Sequence, residues 1–195
     1  MMPGELAAAI AAFRAGREGV FPPSNHSNSV IPNVPRPRLV SDLPSANEMN
    51  FALHRGISPL NLDEKGMILI RSVTTRHMNA YGALSYELLD TNKVTTSDFI
   101  ADDLEIKILD RYRSFKLARD SDAALPPRTI TPSVIKKAIA GWMREYAERG
   151  YIKNVDENIS KIRTEVGDTD GRLNFEVPEA VVDICAVTAG NLIRY

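Results

Sequence analysis

Cysteine is nearly absent from this chain: Cys185 is the single one in 195 residues. One thiol closes no internal disulfide, which excludes a disulfide-stapled secreted fold. A reducing cytoplasm is the expected folding compartment, and the apolar neighbours of Cys185 suit a buried structural thiol. Surplus charge is missing too, with 24 basic against 25 acidic residues and a net charge of −1. That balance offers no global grip on nucleic acid, and Arg36-Pro37-Arg38 reads as a solvated Pro-rich loop. No apolar run reaches the roughly 18 residues of a membrane helix. The start Met1-Met2-Pro3-Gly4-Glu5 lacks the basic region of a signal peptide, and Arg14 and Arg17 interrupt the Ala-rich run after it. The chain is expected to stay in the cytoplasm in which it is made, unless a particle carries it out.

Catalytic constellations are equally scarce. The three histidines, His26, His54 and His77, fall in different elements without metal-ligand spacing. Asp102, Asp103 and Glu105 read as solvated carboxylates near a helix start, because adjacent helical positions point in different directions. Asp168-Thr169-Asp170-Gly171 is similar to the opening of a calcium loop. The glutamate at loop position twelve is Glu179 only if Pro178 and a strand lie inside the loop, so a hairpin turn explains these residues more simply. There is no Gly-rich phosphate loop, and Trp142 falls on a helical apolar stripe. The expectation is a non-enzyme without catalytic residues, cofactor or metal.

What is present is patterned. Leu6, Ile10 and Phe13 share one helical face over residues 5–15, with Gly16 and Gly19 as breaks. Residues 20–44 hold six of the twelve prolines. Prolines remove amide donors and extend their neighbours, so this stretch reads as a strap laying Val30, Ile31, Val34, Leu39 and Val40 on a surface. Ser45 and Glu48 form a capping box for a helix through Met49, Leu53 and His54, closed by Gly56. A hairpin follows around Asp63-Glu64-Lys65-Gly66, and residues 83–89 offer another strand. Ile100, Leu104, Ile108 and Tyr112, then Phe115, predict a long helix from about Asp98 to Arg119. Thr131-Pro132 is a cap followed by proline at the first helical position. It opens a second long helix with the stripe Val134, Ile135, Ala138, Ile139, Trp142, Met143 and Tyr146, and Gly150 is its left-handed stop. Leu173, Phe175 and Val177 alternate with polar residues, a strand signal. Val181 to Tyr195 is again apolar and strand-like, and such a segment is expected to be held in a sheet or offered to another chain.

The fold class expected is α+β: a small mixed or antiparallel sheet packed by two long helices, with an extended Pro-rich strap and a C-terminal β-strand arm. Residues 1–44 form the N-terminal helix and strap. Residues 45–195 form the α+β domain, with 181–195 as a candidate intersubunit arm.

Four stretches in order carry a family resemblance. Asn50-Phe51-Ala52-Leu53-His54-Arg55-Gly56-Ile57-Ser58-Pro59-Leu60 and Ile70-Arg71-Ser72-Val73-Thr74-Thr75 come first. Thr129-Ile130-Thr131-Pro132-Ser133-Val134-Ile135, with its helix and Tyr151-Ile152-Lys153-Asn154-Val155-Asp156, comes next, and Arg172-Leu173-Asn174-Phe175-Glu176-Val177-Pro178 last. Together they resemble the C-terminal domain of phage Mu-like contractile tail sheath proteins, over roughly residues 45–195. Members of that family are in general more than twice this long, and their outer N-terminal domains and N-terminal arm strand have no counterpart here, as in a truncated form.

The resemblance implies a structural subunit of a contractile tail sheath. Such subunits polymerise as hexameric rings around an inner tail tube and contract to drive injection. They are assembled in the host bacterial cytoplasm and end in a virion tail or tail-like particle, with no membrane or nucleic-acid partner. Strand exchange between copies is then expected to use Leu173, Phe175, Val177, Val182, Ile184, Val187, Leu192 and Ile193. Lys136, Lys137, Arg144 and Glu145 are weaker candidates for facing the tube. The alternatives are another phage tail or baseplate component with a sheath-like domain, or a small enzyme with an unrecognised site.

Overall fold

A computed structural model describes residues 1–74, 86–122, 126–168 and 171–184. The chain is α+β and divides into two compact units. One comprises Met1–Thr95 with Asp183 and Ile184, the other Thr96–Val182.

The first unit opens with α1 (Pro3–Glu18), which carries proline in its first turn. Gly16 does not break this helix; the chain leaves it at Gly19, whose amide still donates to the Ala15 carbonyl. The helix buries no residue fully, and Leu6, Ile10 and Phe13 are half-buried. Its last turn is tied to the strap by Glu18, whose Oε1 meets His26 Nε2 at 2.9 Å. The strap is irregular rather than extended: it turns at residues 22–23, 27–28 and 32–33, and Asn28 and Asn33 take left-handed φ values of 56° and 60°. It supplies β1 (Ser29–Val30), a buried Ile31 and a 3-10 turn at Val40–Asp42. Leu39 and Val40 are exposed rather than laid on a surface.

The capping box forms as the spacing predicts: the Ser45 hydroxyl accepts the Glu48 amide, and Glu48 takes the Ser45 amide in return. It starts α2 (Ala46–His54). The hairpin of β2 (Leu60–Asp63) and β3 (Gly66–Leu69) follows, and the antiparallel sheet has the order β1-β3-β2. Gly66 takes a positive φ of 143° at the hairpin turn, which a side chain would resist. Of residues 83–89, those up to 85 lie outside the described residues. Tyr86 to Leu89 make a turn rather than a strand, and Asp90 makes a single bridge to Val73. There the Arg71 guanidinium grips Asp90 through two hydrogen bonds of 2.6 and 2.8 Å.

The first long helix, α3 (Thr91–Tyr112), starts and stops earlier than the periodicity predicts. Thr91 Oγ1 donates to Ser72 Oγ at 2.9 Å, fixing the start. Phe115 turns back to pack edge-on against Tyr112. Lys116 and Leu117 then form β4, parallel to β5 (Thr129–Ile130). Thr131 and Pro132 open α4 (Pro132–Glu148), and Gly150 takes the left-handed conformation at φ 76°. The short α5 (Val155–Lys161), absent from the sequence reading, starts from Asn154 in the left-handed region.

β6 (Arg163–Val166) and β7 (Leu173–Glu176) close an antiparallel hairpin. Ile100 and Leu104 of α3 pack with Ile135, Ile139, Trp142, Met143 and Tyr146 of α4, and with Tyr151, Ile152 and Ile162, as one core. Ile135, Ile139, Met143 and Tyr146 have no exposed surface. Each such side chain contributes about 1.5–3 kcal/mol of burial, which makes α4 the central element of this unit.

Candidate assembly surface

Sheet edges decide which strands of the second unit can accept another chain. Antiparallel neighbours alternate between pairs that exchange hydrogen bonds and pairs that do not. The Gly167 amide donates to the Arg172 carbonyl at 2.8 Å, and the register pairs Val166 with Leu173 and Thr164 with Phe175. The exchanging pairs are therefore 167/172, 165/174 and 163/176. Leu173 and Phe175 direct their amides and carbonyls away from β6, and no hydrogen bond satisfies these groups among the described residues.

That open edge borders apolar grooves. One, of about 560 Å³, is lined by Ile100, Ala101 and Leu104 of α3 together with Phe175, Val177 and Glu179. A second, of about 290 Å³, places Leu173 and Phe175 against Ile108, Leu109 and Tyr112. Phe175 belongs to both and is 44% exposed. On the other side of the hairpin β6 packs on α4, and Thr164 Oγ1 donates to the Pro132 carbonyl at 2.9 Å. A free main-chain edge beside an apolar trough has the two components that strand addition needs: hydrogen bonds for affinity and pockets for alternate side chains.

The residues expected to pair between subunits thus separate. Leu173 and Phe175 lie on the open edge and Val177 in the larger groove. Val182 donates its amide to the Tyr151 carbonyl at 3.1 Å, and Lys153 donates to Ala180 at 2.7 Å, so this segment runs beside residues 151–153 of the same chain. Ile184 is half-buried. Val187, Leu192, Ile193 and Cys185 lie outside the described residues.

On α4, Lys137, Arg144 and Glu145 are exposed and Lys136 is half-buried. Glu145 accepts from Lys107 Nζ at 3.4 Å. Lys107 also reaches Asp103 Oδ2 at 2.9 Å and lies 4.6 Å from the centre of the Tyr146 ring. Asp103 is therefore no solvated carboxylate at a helix start. α3 begins at Thr91, which puts Asp103 in mid-helix, and its carboxylate faces Tyr146 of α4. Sequence spacing held a signal for this: Asp103 and Lys107 are four residues apart. Burial, then the adjacent carboxylate, pushes the Tyr146 phenol far above its ordinary value. The phenol keeps its proton and acts as a hydrogen-bond donor, joining α3 to α4. Among the described residues no group of three potential ligand side chains could hold a metal ion, and no helix is long and apolar enough to cross a membrane.

No protein-family model matches the sequence, and no curated protein matches it. Solved structures do. The chain is similar to a component of the six-fold symmetrised cryo-EM structure of the anti-feeding prophage baseplate, with a TM-score of 0.64 and 12% identity, over 95% of this chain and 49% of that one. It is similar to the sheath tail protein of Desulfitobacterium hafniense, with a TM-score of 0.54 and 8% identity, over 83% of this chain and 37% of that one. The chain thus spans half or less of the length of these proteins. At such identities the likeness is one of architecture, and the α+β arrangement described here is a tail sheath-like fold.

Proposed function

We propose that this chain is a structural subunit, or a piece of one, of a contractile tail sheath of the phage Mu-like kind. In this reading it polymerises around an inner tail tube and contracts to drive injection. The observation that carries it is the open edge of β7 beside the apolar grooves along α3. The partners are copies of the same chain in hexameric rings, and an inner tube approached by the charged face of α4. Assembly belongs to the bacterial host cytoplasm and the product to a virion tail or tail-like particle. In this reading residues 172–177 receive the intersubunit strands, and the part of residues 181–194 beyond Val182, whose amide pairs with Tyr151 of its own chain, donates them. The role is structural rather than enzymatic.

The baseplate likeness favours a second reading, a baseplate component with a sheath-like domain. The two differ in product: stacked rings forming a tube in the first, a single closed ring in the second. Electron microscopy of the full chain, with and without the tube protein, separates them. Deleting residues 187–195 is expected to leave a folded core and abolish assembly, and Phe175→Pro is expected to do the same. Pro at this position removes an outward amide without touching the β6 ladder. Normal assembly by both variants would overturn the strand-exchange reading.

A further inference from the structure

Among the described residues the sheet of the first unit has its own free edge, and the chain treats it differently. The Ile31 amide donates to the Met67 carbonyl at 2.9 Å, and the Ile70 amide to the Pro59 carbonyl at 3.1 Å. In β3, Met67 and Leu69 therefore bond towards β1, while Gly66 and Ile68 bond towards β2. It follows from the register, Leu60 opposite Leu69 and Leu62 opposite Met67, that Leu60 and Leu62 direct their main-chain groups to the outer edge of β2.

This edge is four residues long and carries two leucines, which makes it a template for another strand. Its outward donor at Leu62 is occupied. Asn61 Oδ1, from the neighbouring residue, accepts the Leu62 amide at 2.8 Å. Asparagine is a poor strand former, and this is the only hydrogen bond its side chain makes among the described residues. The opposite edge of the sheet is closed by other means. β1 is two residues long, and Pro32 follows Ile31. In contrast, the outward groups of Leu173 and Phe175 on β7 have no such side-chain partner among the described residues.

We infer that Asn61 is an edge-closing residue. By occupying the Leu62 amide it denies β2 to a strand from a second copy of this chain and directs strand addition to β7. The closing of β2 stands on the geometry of that sheet alone; the direction to β7 rests on the function proposed above.

The test uses the full chain with Asn61→Val, Asn61→Ala and Asn61→Asp, each alone and combined with Phe175→Pro. Asp keeps an acceptor oxygen at the same place, while Val and Ala remove it. In the Phe175→Pro background, at concentrations where every variant is monomeric, amide exchange at Leu62 is expected to be about fivefold faster with Asn61→Val or Asn61→Ala, as for loss of one ordinary hydrogen bond, and unchanged with Asn61→Asp. By light scattering, Phe175→Pro alone and with Asn61→Asp is expected to be monomeric. Phe175→Pro with Asn61→Val is expected to rise to twice the monomer mass or more with concentration. A monomeric Asn61→Val/Phe175→Pro protein, or Asp behaving like Val, would overturn the inference. If Phe175→Pro alone still assembles, the β7 reading fails. The closing of β2 is then decided by Leu62 exchange and by whether Asn61→Val raises the mass above that of the same chain with Asn61.

Discussion

The Tyr146 hydroxyl donates to Asp103 Oδ2 at 2.5 Å, and Lys107 Nζ meets the same oxygen at 2.9 Å. Burial pushes the Asp103 carboxyl up, but the hydrogen bonds from Tyr146 and Lys107 outweigh it and hold the group below its ordinary value. Tyr146→Phe is expected to cost about 1.5–3 kcal/mol at neutral pH, the range for a hydrogen bond to a charged group. The sign with pH follows from the depressed folded value. The contribution is fully present above the ordinary carboxyl range and is lost as pH falls through the lower, folded value. Urea unfolding of both proteins across the acid range should therefore show the difference between them shrinking. A constant difference down to the lowest pH would show that the phenol does not act through this carboxylate.

Glu18 gathers three partners at the end of α1: Arg14 Nε at 3.0 Å, His26 Nε2 at 2.9 Å and Thr95 Oγ1 at 3.4 Å. Burial pushes its carboxyl up, and the hydrogen bonds from His26 and then Arg14 more than reverse this, leaving it lowered. His26 is only 2% exposed, so removing the acceptor strands a buried ring nitrogen. Glu18→Ala is expected to cost about 1–3 kcal/mol and Glu18→Gln less, because the amide oxygen still accepts. The Glu18 contribution is present above the ordinary carboxyl range and lost as pH falls through its lowered folded value. Thermal melts with limited proteolysis of residues 1–18 would check this. Equal losses for Ala and Gln would remove the hydrogen-bond explanation.

Helix α2 has no fully buried residue, so its ends matter more than its packing. Ser45→Ala removes the cap that accepts the Glu48 amide and should cost about 1 kcal/mol of helix stability. The expected signature is local: faster amide exchange across residues 46–54 with a nearly unchanged melting temperature. A fall in global stability as large as the local one would show that α2 is cooperative with the core.

Particular residues show what was legible in the sequence. Period and punctuation suffice where one element carries its own signals: Thr131-Pro132, the seven-residue stripe and Gly150 delimit α4. The same holds for Ser45 with Glu48 and for the hairpin of β2 and β3. Period fails where a partner distant in sequence decides. The start of α3 is set by Ser72, nineteen residues before Thr91. Its end is set by the parallel pairing of Lys116 with Thr129. The apolar period of β7 was readable, but the open edge was not, because it depends on how Arg163–Val166 pairs with it. Asn61 left no signal at all, since one asparagine in a strand reads only as a weak spot. The charge cluster of Asp103, Lys107 and Tyr146 joins two helices and needs their packing to be seen.

Lys137 and Arg144 are seven residues apart on the exposed side of α4, two helical turns along one face. Glu145 is held by Lys107 and Lys136 is half-buried, which leaves Lys137 and Arg144 as the stronger pair of the four for contact with a tube. Exposed charges contribute little to folding, so Lys137→Glu with Arg144→Glu should change stability by no more than about 0.5 kcal/mol. If α4 faces the tube, the double variant should co-sediment less with the tube protein near physiological salt, where the Debye length is about 8 Å. Binding by the unaltered chain should weaken as salt rises, and the variant's residual binding should depend on salt less. Unchanged co-sedimentation by a folded double variant would take this face of α4 out of the contact and place the tube against another surface of the chain.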